Sequence, residues 1–359
     1  MIERYGWSDA LRHDFAPHAA QGLVPGRVII QRRSHYVVVT DQGEVSAQLS
    51  GRFVREAREA GHPAVGDWVG LALRTEEGAA TIHVLMPRRT AFTRKAADRE
   101  QTVQVVAANV DTAFLVTAMN AEFNARRLER YLASAWQSGA RPVVVLTKAD
   151  LSDDPDTAVA EARRLSGEAP VIAVSCVTGQ GLDDVRALLR PAETAVLVGS
   201  SGAGKSTLVN ALYGQTVMST GEIRENDARG RHTTTHRELI LLPDGALVLD
   251  TPGMRELALM DAGEGLDATF EDIEALSAAC RFNDCGHTNE PGCAVREALT
   301  AGTLDIDRWQ GFQKLRGELA LLASKEDRGL RAAERRRGIA ASKAVKAAKK
   351  TRGKDEAAS

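Results

Sequence analysis

AVLVGSSGAGKSTLVNALYG, residues 195–214, decides the fold. Four apolar residues, a glycine-rich turn and a second apolar run read as strand, loop and helix. The loop fits G-x-x-x-x-G-K-[ST] through Gly199, Gly204, Lys205 and Ser206. Glycines let the backbone curl until successive N–H groups face phosphate oxygens, and the helix that follows adds its dipole. Gly199, Ser200, Ser201, Gly202, Ala203, Gly204, Lys205, Ser206 and Thr207 therefore form the candidate phosphate cradle. Lys205 would reach the β- and γ-phosphates of a nucleoside triphosphate, and the Ser206 hydroxyl would bind Mg²⁺.

Downstream, the hairpin pattern ELILLPDGALVLD (residues 238–250) delivers Asp250 to a strand end, followed by Thr251, Pro252 and Gly253. A D-x-x-G at that place serves Mg²⁺ through its Asp and senses the γ-phosphate through the Gly N–H. Upstream, the strand pattern RPVVVL runs into Thr147, Lys148, Ala149 and Asp150. The Asp150 carboxylate can accept both N1–H and N2–H of guanine, while the Lys148 stem covers the base. The first residue of such a loop is more often Asn, whose amide ties neighbouring loops together; the Thr147 hydroxyl replaces part of that bonding. SCVTGQGL, after the strand pattern VIAVS, supplies Ser175 and the Cys176 backbone for the far edge of the base. Cys176 reads as a small loop residue rather than a nucleophile. Both base loops precede the phosphate loop, the reverse of the usual order in small GTPases, so the domain is circularly permuted. Such a cut is tolerable because domain termini lie near one another and each loop still sits at the carboxyl end of its strand.

The wider rhythm agrees. Apolar runs alternate with helical patterns from DTAFLVT to ALVLD, a largely parallel sheet of about six strands with both faces covered. Before it, RVIIQ, YVVVTD, EVSAQL, DWVGLAL and ATIHVLM are short β-rich runs that suggest a small closed barrel. An oligonucleotide-binding barrel fits the strand count, and an SH3-like barrel fits almost as well. RFVREAREAG is ambiguous between strand and helix, and the basic stretch PRRTAFTRKAADRE, residues 87–100, reads as a linker. The expected boundaries are a lead with a short helix (1–25), a barrel (26–90), the nucleotide domain (100–261), a mainly helical module (262–324) and a basic tail (325–359).

The composition, 43% apolar and 26% charged over 359 residues, has room for two or three globular domains. No apolar run approaches the roughly 18 residues of a membrane span, which excludes an integral helical membrane protein. MIERYGWSDALRHDF places charges where an export signal needs an apolar stretch, so a cytoplasmic chain is expected. Residues 325–359 hold 12 Lys+Arg against 5 Asp+Glu, and the rest of the chain carries the compensating negative charge. Such a tail is either a solvated terminus or an arm that neutralises nucleic-acid phosphates. Three of the four cysteines fall in CRFNDCGHTNEPGC, a spacing unlike a disulfide scaffold. Cys280, Cys285, His287 and Cys293 complete a closed tetrahedral shell, so one structural Zn²⁺ per chain is expected.

With these motifs in this order, the chain resembles the RsgA/YjeQ family of circularly permuted bacterial GTPases that assist assembly of the small ribosomal subunit. The resemblance spans the barrel with GDWV (Gly66 to Val69), TKAD, SCVTGQGL, GSSGAGKST, GRHTTT (Gly230 to Thr235), DTPG and the Cys/His cluster. It implies an α/β protein with an N-terminal oligonucleotide-binding (OB) barrel, a permuted P-loop GTPase domain and a C-terminal helical zinc-binding module. It also implies GTP hydrolysis with Mg²⁺, contact with the small subunit and its rRNA, and zinc at the four residues named. It places a switch threonine among Thr233 to Thr235 on Mg²⁺ and the γ-phosphate, with Thr234 favoured. Lys205, Thr234 and Gly253 are then the catalytic set. Met254 stands where Ras-like enzymes carry a water-orienting Gln, which leaves His232 as a candidate for that task, and Asp261 stands where many members have a His. A monomer exchanging GTP for GDP, with no membrane partner, is expected. The alternatives are an RNA-binding factor that uses GTP only as a binding switch, and a P-loop ATPase or kinase, which TKAD disfavours.

Overall fold

The computed structural model describes residues 1–32, 35–56, 61–74, 78–95, 103–119, 123–218, 237–250, 263–321 and 324. After a 3-10 turn at Ile2–Tyr5, α1 (Asp9–Ala19) starts under the Ser8 side chain, which accepts from Leu11 N at 3.3 Å. Five strands follow: β1 (Val24–Gln31), β2 (Tyr36–Thr40), β3 (Gly43–Leu49), β4 (Trp68–Arg74) and β5 (Ala79–Leu85). They pair in the order β1-β2-β3-β5-β4, and β4 returns to β1. The closure is antiparallel except for β3 with β5, which run parallel. That one parallel pairing, with α2 (Gly51–Glu56) placed between β3 and β4, is the topology of an OB barrel and decides against the SH3-like alternative.

The barrel interior is filled by Val28, Val38, Ala47, Val69, Leu71, Ala80 and Ile82. The lead does not trail freely: Ile2, Trp7, Leu11 and Phe15 pack against Trp68 and Met86, with the Trp7 and Trp68 rings 4.9 Å apart. The stretch read as a linker also differs from expectation. Part of it forms β6 (Ala91–Lys95), which pairs antiparallel with β7 (Val103–Ala108). Phe92 of β6 and Val106 of β7 are both buried in the main core, so apolar burial overrides the basic composition.

The nucleotide domain comprises β8 (Thr112–Ala118), α3 (Ala125–Ser138), β9 (Arg141–Thr147), α4 (Pro155–Ser166), β10 (Val171–Ala173), α5 (Leu182–Ala187), β11 (Thr194–Val198), α6 (Lys205–Tyr213), β12 (Arg237–Leu241) and β13 (Leu247–Asp250). Its strands run β10-β9-β8-β11-β13-β12, all parallel except β12. Apolar residues from both faces of β8, β9 and β11 are buried in two separate cores, as a sheet covered on both sides requires. Chain direction reverses its progress between β8 and β11, and the loops that follow β9, β10, β11 and β13 open at that end of the sheet.

Barrel and nucleotide sheet are continuous. The last two residues of β1 pair antiparallel with the first two of β12, in register Ile30↔Glu238 and Gln31↔Arg237, giving one eleven-stranded sheet. Midway along β1 the buried Arg27 guanidinium donates to Gly66 O at 3.1 Å, Asn109 O at 3.1 Å, Thr194 Oγ1 at 2.8 Å and Tyr5 O. It thereby joins the lead, the barrel and the start of β11, and it lies 5.3 Å over the Trp68 ring. Burial pulls its pKa down to about 10.

The C-terminal module holds α7 (Gly263–Thr269), α8 (Glu271–Ala278), α9 (Ala294–Ala301) and α10 (residues 306–321), mainly helical as its sequence predicts. Phe270, Ile273, Val295, Trp309 and Phe312 form its core. It is clamped on α3. A Cβ on Gly265 of α7 would lie 2.2 Å from Ala133 O, so only glycine permits that helix contact. Arg308 of α10 takes Asp272 in a bidentate pair at 2.7 Å and reaches the buried Glu129 of α3 at 3.2 Å.

Candidate nucleotide site and metal centre

The fully buried β11 projects its last residue into the phosphate loop. A side chain at Gly199 would lie 2.2 Å from Val116 O, so glycine is required for the loop to leave the sheet there. Gly204 caps α6, Lys205 opens it, and Ser206 and Thr207 occupy its first turn. The strand–loop–helix order read from residues 195–214 is thus realised. The Lys205 ammonium folds across the loop, donating to Gly199 O at 2.8 Å and Ser200 O at 2.6 Å.

The TKAD loop meets this loop directly. Thr147, buried at the end of β9, donates its hydroxyl to Ala203 O at 2.6 Å, with Thr117 O at 3.3 Å as a second acceptor. A hydroxyl has one proton to give, so the short contact to the phosphate loop dominates. The tie between loops that Asn usually makes is therefore present in a reduced, single-bond form. Lys148 adopts a left-handed conformation, φ 60°, and a 3-10 turn over Ala149–Leu151 leaves Asp150 exposed beside it. Ser175, fully buried after β10, donates to Asp150 Oδ1 at 2.6 Å and accepts from Val177 N at 3.3 Å and Thr178 N at 3.2 Å. Every hydrogen-bonding function of that hydroxyl is used to orient Asp150 and shape its own loop. Burial, and then the Asp150 charge, pushes the Cys176 thiol above its ordinary range, which suits a loop residue and not a nucleophile.

The structure thus brings together residues 199–207, Thr147 to Asp150 and Ser175 to Cys176. Asp250 ends β13, the strand beside β11, and its backbone is in register with Glu238 of β12. Its side chain lies outside the described residues, as do His232, Thr233 to Thr235, Gly253, Met254, Asp261 and the tail from residue 325.

The second candidate site is the Cys/His cluster. Ligand atoms of Cys280, Cys285, His287 and Cys293 all lie within 4.8 Å of one another. His287 Nδ1 is 3.6 Å from Cys280 Sγ and 3.5 Å from Cys293 Sγ, and those two sulfurs are 3.9 Å apart. A tetrahedral zinc with Zn–S near 2.3 Å needs ligand separations of about 3.5–3.8 Å, close to those among Cys280, His287 and Cys293, so three thiols and an imidazole gathered this closely fit the ion. The four cysteines are all free of disulfides. Supporting contacts missed in the sequence surround it. The His287 ring meets Trp309 edge-on at 5.6 Å. Glu290 accepts from the backbone N–H groups of Gly286, Thr288 and Asn289 at 2.8–3.0 Å. Its own backbone N–H and theirs hold its carboxyl down to about 2. An acid inside the ligand spacing was the available signal.

A third group was also not legible. Glu129, raised to about 7 because burial outweighs the pull of Arg308, lies where α3 meets the C-terminal module. Beside it opens a charged cleft of about 510 Å³ lined by Arg126, Glu161, Arg164 and Asp307 among others. Arg308 also donates to Thr269 O at 3.0 Å and lies 4.8 Å over Phe270, so it cements the joint from both sides.

Residues 85–260 match the family described as RsgA GTPase. A small ribosomal subunit biogenesis GTPase RsgA from Opitutus terrae is 48% identical over 94% of this chain and 94% of its own length. The protein named RsgA 2 from Lactiplantibacillus plantarum is 48% identical over 88% and 89% respectively. Among solved structures, YjeQ from Thermotoga maritima aligns with TM-score 0.63 and 28% identity over 83% of this chain and 99% of its own. YloQ, described as a circularly permuted GTPase, aligns at TM-score 0.60 and 24% identity over 83% and 95%, a likeness of fold.

Proposed function

The chain belongs to the RsgA GTPase family, and on that premise we propose that it is a GTPase that binds the small ribosomal subunit, assists its late assembly and leaves after hydrolysis. The Thr147–Ala203 bond carries the reading, because it makes a guanine loop and a phosphate loop parts of one site although the permutation separates them in the chain. Asp150, oriented by Ser175, would accept the two guanine donors, and the Ser175–Cys176 backbone would border the far edge of the base. Residues 199–207 would cradle the phosphates, with Lys205 exchanging its carbonyl contacts for β- and γ-phosphate oxygens.

Ser206, Thr234 and Asp250 would supply hard oxygen donors of the kind Mg²⁺ prefers; Ser206 comes after β11 and Asp250 ends the adjacent β13. Bound there with GTP, the ion would neutralise charge on the phosphates. In hydrolysis the oxygen of water bonds to the γ-phosphorus while the bond to the β–γ bridging oxygen breaks, and the water proton ends on phosphate or solvent. Gly253 N–H would contact the γ-phosphate, and His232 is the candidate for orienting the water. With Met254 in the usual Gln position, the remaining water positioning or charge stabilisation would come from the subunit.

Zinc at Cys280, Cys285, His287 and Cys293 would be structural, because the shell leaves no open position. Barrel, zinc module and basic tail would contact rRNA, along the boundaries 1–25, 26–90, 100–261, 262–324 and 325–359. The protein would act as a cytoplasmic monomer; no helix among the described residues is long and apolar enough to cross a membrane. GTP turnover should be slow alone and rise with small subunits, by on the order of 10³ to 10⁵ if an element is supplied in trans. Negligible turnover in their presence would favour a factor that uses GTP only as a binding switch.

A further inference from the structure

The barrel is bonded to the nucleotide sheet at a particular level. Asp250 of β13 is opposite Glu238 of β12, and Glu238 is opposite Ile30 of β1, so the proposed Mg²⁺ ligand and the barrel strand share one row of the ladder. Two strand spacings, about 10 Å, separate them. Beside that row, Arg237 Nη1 donates to Gln31 Oε1 at 3.1 Å, and Gln31 Nε2 donates to Pro63 O at 3.2 Å in the β3–β4 connection. Arg237 is also the third residue after Thr234 in the chain. Without β1, the start of β12 would be the outer edge of the nucleotide sheet, with its ladder groups unpaired on that side.

From this geometry we infer that Gln31, a barrel residue, is a positioning residue for GTP hydrolysis, holding Arg237 and with it the β12–β13 row that ends at Asp250. The inference rests on the GTPase reading above. The loops that hold guanine and the phosphate chain follow β9, β10 and β11, none of which is paired with β12 in the sheet. The Gln31 contact therefore bears on the γ-phosphate side of the site, through β12 and β13, more directly than on the guanine loops. The barrel is then part of the hydrolytic unit as well as a surface for RNA.

The test is steady-state GTP hydrolysis by full-length protein with small subunits, together with GDP affinity and thermal stability. Gln31→Ala should lower kcat about tenfold, short of the roughly 100-fold that a 1 Å misplacement costs, because the backbone ladder remains. KM for GTP and affinity for GDP should stay within about a factor of two, because the contact acts in the transition state and not in ground-state binding. Gln31→Glu, which keeps an acceptor for Arg237, should recover kcat. As a control, Arg89→Ala breaks the exposed Arg89–Asp111 contact, 3.3 Å, at the opposite end of the sheet and should leave kcat unchanged. Wild-type kcat in Gln31→Ala, equal losses in Gln31→Ala and Arg89→Ala, or no recovery in Gln31→Glu would each overturn the positioning role. A wild-type protein without turnover would instead sink the GTPase reading itself.

Discussion

Replacing Arg27 by Met keeps most of the buried stem and removes every donor that the side chain contributes to the junction of lead, barrel and nucleotide sheet. Gly66 O keeps a partner, because Asn109 Nδ2 also donates to it at 3.1 Å. Tyr5 O, Asn109 O and Thr194 Oγ1 lose the guanidinium, and each buried acceptor left without a donor costs about 1–3 kcal/mol. No carboxylate is orphaned: Asp67 retains its bidentate Arg88 pair at 2.7–2.8 Å, and Asp111 retains Arg89 and Thr194 N. Release of a charge that is held at a desolvation cost offsets part of the loss. The net expectation is about 2–4 kcal/mol, or about 5–15 °C in Tm for a unit of this size. Urea and thermal unfolding followed by tryptophan fluorescence measure it directly, since Trp68 lies under the guanidinium and Trp7 beside Trp68. Arg27→Lys should recover less than half, because one ammonium cannot reach acceptors on four segments. A loss below about 1 kcal/mol in Arg27→Met would show that water replaces the guanidinium freely, and the joint would need another explanation.

Lys205→Ala should abolish GTP hydrolysis with the fold retained, read by phosphate release and circular dichroism; wild-type turnover in the variant is incompatible with the phosphate loop assigned here. Asp150→Asn should shift preference from GTP to XTP, because an amide cannot accept both guanine donors, and competition binding would expose an error if GTP still wins. Zinc should be present at one atom per chain and disappear in Cys293→Ala, with unfolding confined to the C-terminal module because ligation supplies folding free energy there; full metal content by elemental analysis would refute the four-ligand shell. Glu129 titrates near 7 when folded against 4.5 ordinarily, so the folded chain binds more protons between those values. Stability should fall as pH rises across that window, and Glu129→Gln should flatten the slope; an unchanged slope would assign the effect elsewhere.

What the sequence makes legible is local. Glycines, a lysine and a serine at fixed spacing announce the phosphate loop, alternation announces the barrel strands, and the order of loops announces the permutation. What it hides is partnership across the chain. RVIIQ is recognisable as a strand, but not that Arg27 reaches Thr194, or that Gln31 meets Arg237, because nothing local distinguishes a buried guanidinium from a solvated one. Glu129 is similar: on an amphipathic helix it reads as an ordinary polar residue until Arg308 arrives from α10. The β6–β7 hairpin was obscured for the opposite reason, since its basic residues outnumber the Phe92 that anchors it. Barrel type depended on one long-range parallel pairing, β3 with β5, which strand counting does not reveal.

The continuous sheet also sets a schedule for synthesis. The barrel closes on itself through β1 and β4, so it can fold as soon as residue 85 is free of the ribosome. Its Ile30–Gln31 edge must then wait for β12, whose Arg237 lies 206 positions downstream of Gln31. At typical elongation rates that delay is roughly 10–40 s. For that time a half-buried isoleucine and an unpaired strand end face solvent beside growing chains of the same sequence, a setting in which edges find wrong partners. Substitutions that weaken the barrel would therefore show first as lost yield of soluble protein, before any change in the stability of molecules that complete the sheet.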